Sequence, residues 1–294
     1  METKVQSQPK KPIAQSVLRS LFPVLGTVAP NYSARLFFKL FTTPRKVSLK
    51  PPHEALLDAA EKFSYEIKDP WGYHDRVEIK GYTWNGASEK TILLIHGWNG
   101  KSADYYKLVP VLVEAGYRVD AIDCKAHGES QGTRSSMVDF MESIHGYLQL
   151  KGVPFGLIGH SLGGSASTFL MVRENILLQK LVLLANPVVM LHAFELGFEL
   201  MNLTERTRAL VIAQSEKLLG RKISDFDLRT INLDHIHEIL ELYVDDDEEI
   251  PNNDTMQFLQ THPSIQSVKI ENCGHNYIKR DKKALQAILQ FLRN

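Results

Sequence analysis

Cysteine is scarce: Cys124 and Cys273 are the only two in 294 residues. A disulfide framework is therefore not what holds this fold, and the count fits a reducing compartment. A surplus of one charge is also missing. Lys and Arg together number 34, and so do Asp and Glu, so no global basic field points to nucleic acid. No apolar run reaches the ~18 residues a spanning helix needs. The opening MetGluThrLysValGlnSerGlnProLys lacks the apolar core and small-residue cleavage site of a signal peptide. A cytoplasmic protein is the expectation. HisGluXXHis, CysXXCys and dinucleotide-type glycine patterns are absent from the sequence, so neither a metal nor a cofactor is expected. What is there is ordinary for a globular chain: 44% hydrophobic and 23% charged residues. That balance excludes a mostly disordered protein and supplies a sizeable core.

The neutral total hides an asymmetry. Residues 1–50 carry nine basic side chains against a single acid, Glu2. Within this basic segment, a helix over Ala34–Phe41 would place Leu36, Phe37, Leu40 and Phe41 on one face and Arg35 and Lys39 on the other. Such a helix suits either peripheral contact with an anionic membrane or packing against the body of the protein. The segment 1–50 is thus read as distinct from a main domain over 51–294.

Beyond Pro51-Pro52 the pattern becomes regular. Phe63–Lys68 and Arg76–Trp84 read as two strands joined by a turn. From Thr91 onward, short unbroken apolar runs alternate with helical stretches. The runs are Thr91–Ile95, Arg118–Ile122, Phe155–Ile158, Lys180–Leu184, Ile239–Val244 and Ser267–Ile270. Unbroken runs suit strands covered on both faces, and strand–helix alternation predicts an α/β fold with a mostly parallel, doubly wound sheet. Asn186 to His237 is too long for one crossover and reads helical, which predicts an inserted helical cap at about 188–238.

One segment carries chemistry. Gly159-His160-Ser161-Leu162-Gly163-Gly164 follows an apolar strand run and precedes a helical run. A sharp strand–helix turn of this kind exposes a serine hydroxyl above the sheet, with a helix N-terminus beneath it. Glycines at 159 and 163 fit the close approach of strand and helix. A serine hydroxyl needs a base, and the base needs an acid to orient it. His275, after the last strand run and behind Gly274, is the expected base. The acid is expected after Ile239–Val244, in Asp245-Asp246-Asp247-Glu248-Glu249. Asp247 is preferred, then Asp246, then Asp245. Two backbone N–H groups should form an oxyanion hole: that of Leu162, next after the serine, and that of Trp98, in the loop after Thr91–Ile95.

These residues resemble the serine α/β-hydrolase superfamily, of esterase and lipase type. The resemblance runs from about Ala55 to the end. It rests on Ile95-His96-Gly97-Trp98, on Asp123 to Ser130, on Gly159 to Gly164, on Asp247 to Pro251 and on Gly274-His275, in the family's usual order. It implies an α/β-hydrolase fold with a helical cap. The family commonly places its acid four residues before this proline, which supports Asp247. Ala126 departs from the usual glycine. A serine nucleophile weighs against dehalogenase and epoxide hydrolase chemistry.

The function this implies is cleavage of a carboxylic ester through an acyl-enzyme, with Ser161, His275 and Asp247 as triad. Acyl transfer or thioester cleavage on the same scaffold, and a non-catalytic binding protein, are the alternatives. The expected partner is a small-molecule ester. Phe194, Leu196, Phe198, Leu200 and Met201 suggest an apolar acyl pocket, or equally the core of the insertion. Oligomeric state is open.

Overall fold

A computed structural model describes residues 13–69, 74–245, 247–250 and 252–294. The chain divides into two compact units: residues 42–190 with 226–294, and residues 1–41 with 191–225.

The first unit is built on one eight-stranded sheet. Its strands are β1 (Glu61–Lys68), β2 (Arg76–Trp84), β3 (Thr91–Ile95), β4 (Arg118–Asp123), β5 (Gly156–His160), β6 (Leu178–Leu184), β7 (Ile236–Val244) and β8 (Gln266–Ile270). Their order is β1-β2-β4-β3-β5-β6-β7-β8. β2 runs antiparallel to β1 and to β4; every other pairing is parallel. From β3 the chain moves first to one side, to β4, and then to the other, to β5. The strand order therefore reverses between β3 and β5, where the carboxyl ends of neighbouring strands open a crevice.

The central strands are apolar on both faces because helices cover both. Ile92, Leu93, Leu94 and Ile95 of β3 are all fully buried. Ile92 and Leu94 join the core cluster that contains Leu108 and Leu112 of α4 (Leu108–Glu114) and Ile288 and Phe291 of α10 (Lys282–Arg293). On α10, Ala284, Ile288, Phe291 and Leu292 turn inward at helical spacing. Asp281 caps this helix, its carboxylate accepting from the backbone N–H groups of Lys283 and Ala284. α5 (Met137–Lys151) and α6 (Leu162–Arg173) pack on each other. Edge strand β1 alternates exposed and partly buried positions over much of its length, as a strand covered on one face does.

The second unit contains α1 (Ile13–Val28), α2 (Pro30–Phe41), most of α7 (Met190–Met201) and α8 (Glu205–Leu219). The inserted part is shorter at both ends than 188–238. Val189 and Asp227 form an antiparallel bridge, and β7 begins at Ile236, so both flanks of the insertion belong to the sheet unit. The basic segment also breaks earlier than residue 50. Residues 42–50 lie in the sheet unit, where the Thr42 carbonyl accepts from Ser135 N–H at 2.8 Å.

The inward face of α2 differs from the expected one. Pro30, Ser33, Ala34, Phe37 and Phe38 are buried, whereas Leu40 is exposed. Two residues of the expected face nevertheless make aromatic contacts within the helical unit. Phe37 meets Phe198 with ring centroids 5.4 Å apart, and Phe41 meets Phe194 at 4.9 Å. Phe194 and Phe198 thus serve as core of the helical unit. Among the described residues no helix is long and apolar enough to cross a membrane.

Candidate active site

Ser161 sits between β5 and α6 with φ 50° and ψ −129°. A serine in this left-handed region is strained, and the surroundings must enforce it. They do so through glycine. A Cβ on Gly163 would lie 2.3 Å from the His96 carbonyl oxygen, and one on Gly159 would lie 2.5 Å from Gly164 Cα. Only bare backbones allow the first turn of α6 to press against β5 and the end of β3. Ser161 is consequently lifted out of the sheet to line a cleft of about 470 Å³.

The loop after β3 enters the same cleft. A Cβ on Gly97 would come within 2.8 Å of Ser161 Cβ, so the backbone carrying Trp98 passes directly over the serine. His96 fixes this loop. Its Nδ1 donates to the Gly97 carbonyl at 2.7 Å, and its Nε2 accepts from Cys124 N–H at 2.9 Å. Burial lowers the pKa of His96 to about 4, so the ring stays neutral and keeps that tautomer. Asn99 follows with φ 57°, and its side-chain oxygen accepts from Arg45 N–H at 2.7 Å. Trp98 packs edge-on against His127, 5.1 Å between centroids, and also lines the cleft.

His275 reaches the cleft from the loop after β8. Its Nδ1 lies 2.8 Å from Asp247 Oδ2. The acid is held in turn: Asp247 Oδ1 accepts from the backbone N–H groups of Glu249 at 2.8 Å and Ile250 at 3.0 Å. Both side chains are nearly buried, 6% exposed for His275 and 2% for Asp247. With Nδ1–H donated to a carboxylate, Nε2 is left as the acceptor. Glu249 Oε2 stands 3.8 Å from that Nε2. Asp245 is elsewhere; its carboxylate faces Lys269 at 3.3 Å. Asp246 lies outside the described residues.

The sequence did not single out the other polar side chains of the cleft. Lys101, Asp104, His160, Lys279 and Arg280 line it, as do Lys50 and Val47 from the strap 42–50. His160 Nε2 donates to the His275 carbonyl at 3.0 Å, and Lys279 Nζ donates to His160 Nδ1 at 3.4 Å. Burial and the Lys279 ammonium hold the His160 pKa well below its usual value. His160 therefore acts as a neutral strut behind the loop of His275. Lys279 is only 3% exposed. Burial lowers its pKa to about 8, against the pull of Asp104. Cys124 and Cys273 are free thiols, and burial raises both, so neither is an activated nucleophile.

Comparison with known proteins agrees with this architecture. Residues 90–235 match the model of the α/β-hydrolase fold family. A human serine hydrolase-like protein is 28% identical over 132 residues, covering 43% of this chain and 62% of that protein. The sn-1-specific diacylglycerol lipase of Mus musculus is 27% identical over 144 residues, 47% of each chain. Both matches span less than two thirds of the relative. An esterase of Pyrococcus furiosus shares the fold with a TM-score of 0.61 at 17% identity, over 86% of this chain and 98% of that one. With the strand order, the turn at Ser161 and these matches taken together, the chain belongs to the α/β-hydrolase superfamily.

Proposed function

We propose that this protein is a serine hydrolase that cleaves carboxylic esters. The observation that carries the reading is the Asp247–His275 pair, 2.8 Å apart, whose His275 lines one cleft with a serine held at positive φ. In this reading Ser161 Oγ attacks the ester carbonyl while His275 Nε2 takes its proton. Asp247 holds the ring in the tautomer that makes this possible and stabilises the imidazolium. The backbone N–H groups of Trp98 and Leu162 receive the developing oxyanion, with the N-terminus of α6 adding partial positive charge. His275 then protonates the leaving alcohol, and water releases the acyl group by the same steps in reverse. The lipase and esterase relatives support an ester or lipid substrate.

Two finer assignments belong to this reading. The helices inserted between β6 and β7 are the cap, on the strength of their place in the chain. The helical unit makes peripheral contact with anionic membrane. Val17, Leu21, Val24 and Val28 of α1 are all exposed and recur at helical spacing. They accompany the basic surplus of residues 1–50.

Activity-based labelling tests the chemistry. A fluorophosphonate probe should label the wild type and fail on Ser161→Ala. A nitrophenyl ester series of increasing acyl length should be hydrolysed by the wild type and by neither Ser161→Ala nor His275→Ala. A folded wild type that takes no label and hydrolyses no ester overturns the assignment.

A further inference from the structure

The cleft beside Ser161 is cationic beyond what a triad and an oxyanion hole require. Two buried ammonium groups share one carboxylate. Lys101 Nζ stands 3.3 Å from Asp104 Oδ1, and Lys279 Nζ 3.9 Å from Asp104 Oδ2. Lys101 is 4% exposed and Lys279 3%. The other contacts of Lys279 are long and go to neutral acceptors, His160 Nδ1 at 3.4 Å and Asn276 Oδ1 at 3.5 Å. Arg280 adds a guanidinium stacked 5.9 Å from the Tyr106 centroid and 5.0 Å from that of Tyr277. Lys50 stands at the rim. Against these four cations the lining offers two carboxylates, Asp104 and Glu249.

Burying an ammonium without full pairing is costly, and it becomes favourable when an anion arrives to share it. An anion entering this cleft would find charge-assisted donors already fixed by packing. Glu249 orients the guest, because its carboxylate stands beside His275 Nε2 and repels an anion there. The anion is thereby directed to the side of Lys101, Lys279 and Arg280.

We propose that the substrate is an ester bearing an anionic group, carboxylate or phosphate, held by Lys279 and Lys101 with Arg280 while its carbonyl faces Ser161. This rests on the ester-hydrolase reading for the second half of that statement only; the anion site stands on the lysines alone.

The test uses Ser161→Ala, so that binding is read without turnover. Calorimetric titration compares the monomethyl esters of succinate, glutarate and adipate with their dimethyl esters. It also compares 1-acetylglycerol 3-phosphate with 1-acetylglycerol. At least one anionic ligand should bind about tenfold or more tighter than its neutral partner, as a hydrogen bond to a charged group implies. The series that shows the preference tells carboxylate from phosphate. Adding Lys279→Met or Lys101→Met should each remove most of that preference. Equal affinity within every pair, or no binding by any ligand, overturns the proposal. So does a preference that survives both lysine substitutions. If the preference holds and yet the wild type hydrolyses none of the anionic esters, the anion site stands and the claim that it holds the substrate of Ser161 falls; if the wild type also takes no fluorophosphonate label and hydrolyses no nitrophenyl ester, the hydrolase reading falls with it.

Discussion

At the residue scale, Asp247 is the most exacting position. One of its oxygens is committed to two backbone N–H groups and the other to His275. Asparagine keeps the shape, and its carbonyl would still satisfy the backbone donors. Its amide then presents N–H to His275 Nδ1. The ring must turn its proton to Nε2, which in the proposed mechanism could then no longer accept from Ser161. Asp247→Asn should therefore lower kcat about 1,000-fold to 10,000-fold. Its urea midpoint should change little. Steady-state kinetics beside denaturation distinguish this from general damage; near-normal kcat would remove Asp247 from the proposed triad. The resemblance favours Asp247 within a run of five acids by its place four residues before Pro251, and it is the Asp247 carboxylate that meets His275 Nδ1. The sequence places His96 in its motif without showing what it does. Its work is to hold a loop through Gly97 and Cys124, contacts that no spacing rule encodes.

At the scale of elements, the unbroken apolar runs located the central strands, since both faces of each are buried and helical periodicity is missing from them. Boundaries slipped where a turn interrupts pairing. The expected Phe155–Ile158 became Gly156–His160, so the strand runs up to Ser161 itself. The face of α2 departs from the expected one in part, for another reason. In Leu36–Phe41 nearly every position is apolar, so periodicity alone leaves the rotation open, and packing buries Phe38 with Phe37 while Leu40 stays exposed. The helix α1 is the complementary case. Phe22 is fully buried, whereas Val17, Leu21, Val24 and Val28 are 41–73% exposed. That exposed stripe gains only by meeting an apolar phase, and each valine moved from water would contribute about 1–2 kcal/mol. Wild type should sediment with vesicles containing phosphatidylserine more than with phosphatidylcholine alone. Val17→Asp with Val24→Asp should weaken that binding about tenfold or more. Equal sedimentation of both proteins would leave the stripe without a membrane role.

At the scale of the whole molecule, net charge conceals what matters. The chain is neutral, and residues beyond 50 are on balance acidic, yet the cleft in the sheet unit gathers Lys50, Lys101, Lys279 and Arg280. Neither composition nor a motif could reveal this, because Lys101 and Lys279 are far apart in sequence and meet only across Asp104. The arrangement also has a stability signature. The lysine pKa falls from 10.5 to about 8 at Lys279 because burial, with Arg280 and Lys101 nearby, outweighs Asp104 and Glu249. Below pH 8 the group is charged both folded and unfolded, and the folded state bears the whole cost, roughly 3 kcal/mol at about 1.4 kcal/mol per unit. Between about 8 and 10.5 the folded protein gives up this proton while the unfolded chain keeps it, and the cost fades; above 10.5 it is gone. Lys279→Met should therefore be more stable than wild type at pH 7, by about 1–3 kcal/mol. The advantage should shrink as pH rises through this window. The same deprotonation removes a cation from the cleft, so preference for an anionic ester over its neutral partner should also decline above pH 8. Asp104, Lys101, His160, Asn276, Glu249 and Arg280 all face this ammonium. Urea melts of both proteins at pH 7 and near pH 10 would decide the matter. A variant less stable at pH 7, or a gap that widens with pH, would show that Lys279 is a structural partner of Asp104 instead of a charge held in reserve for a ligand.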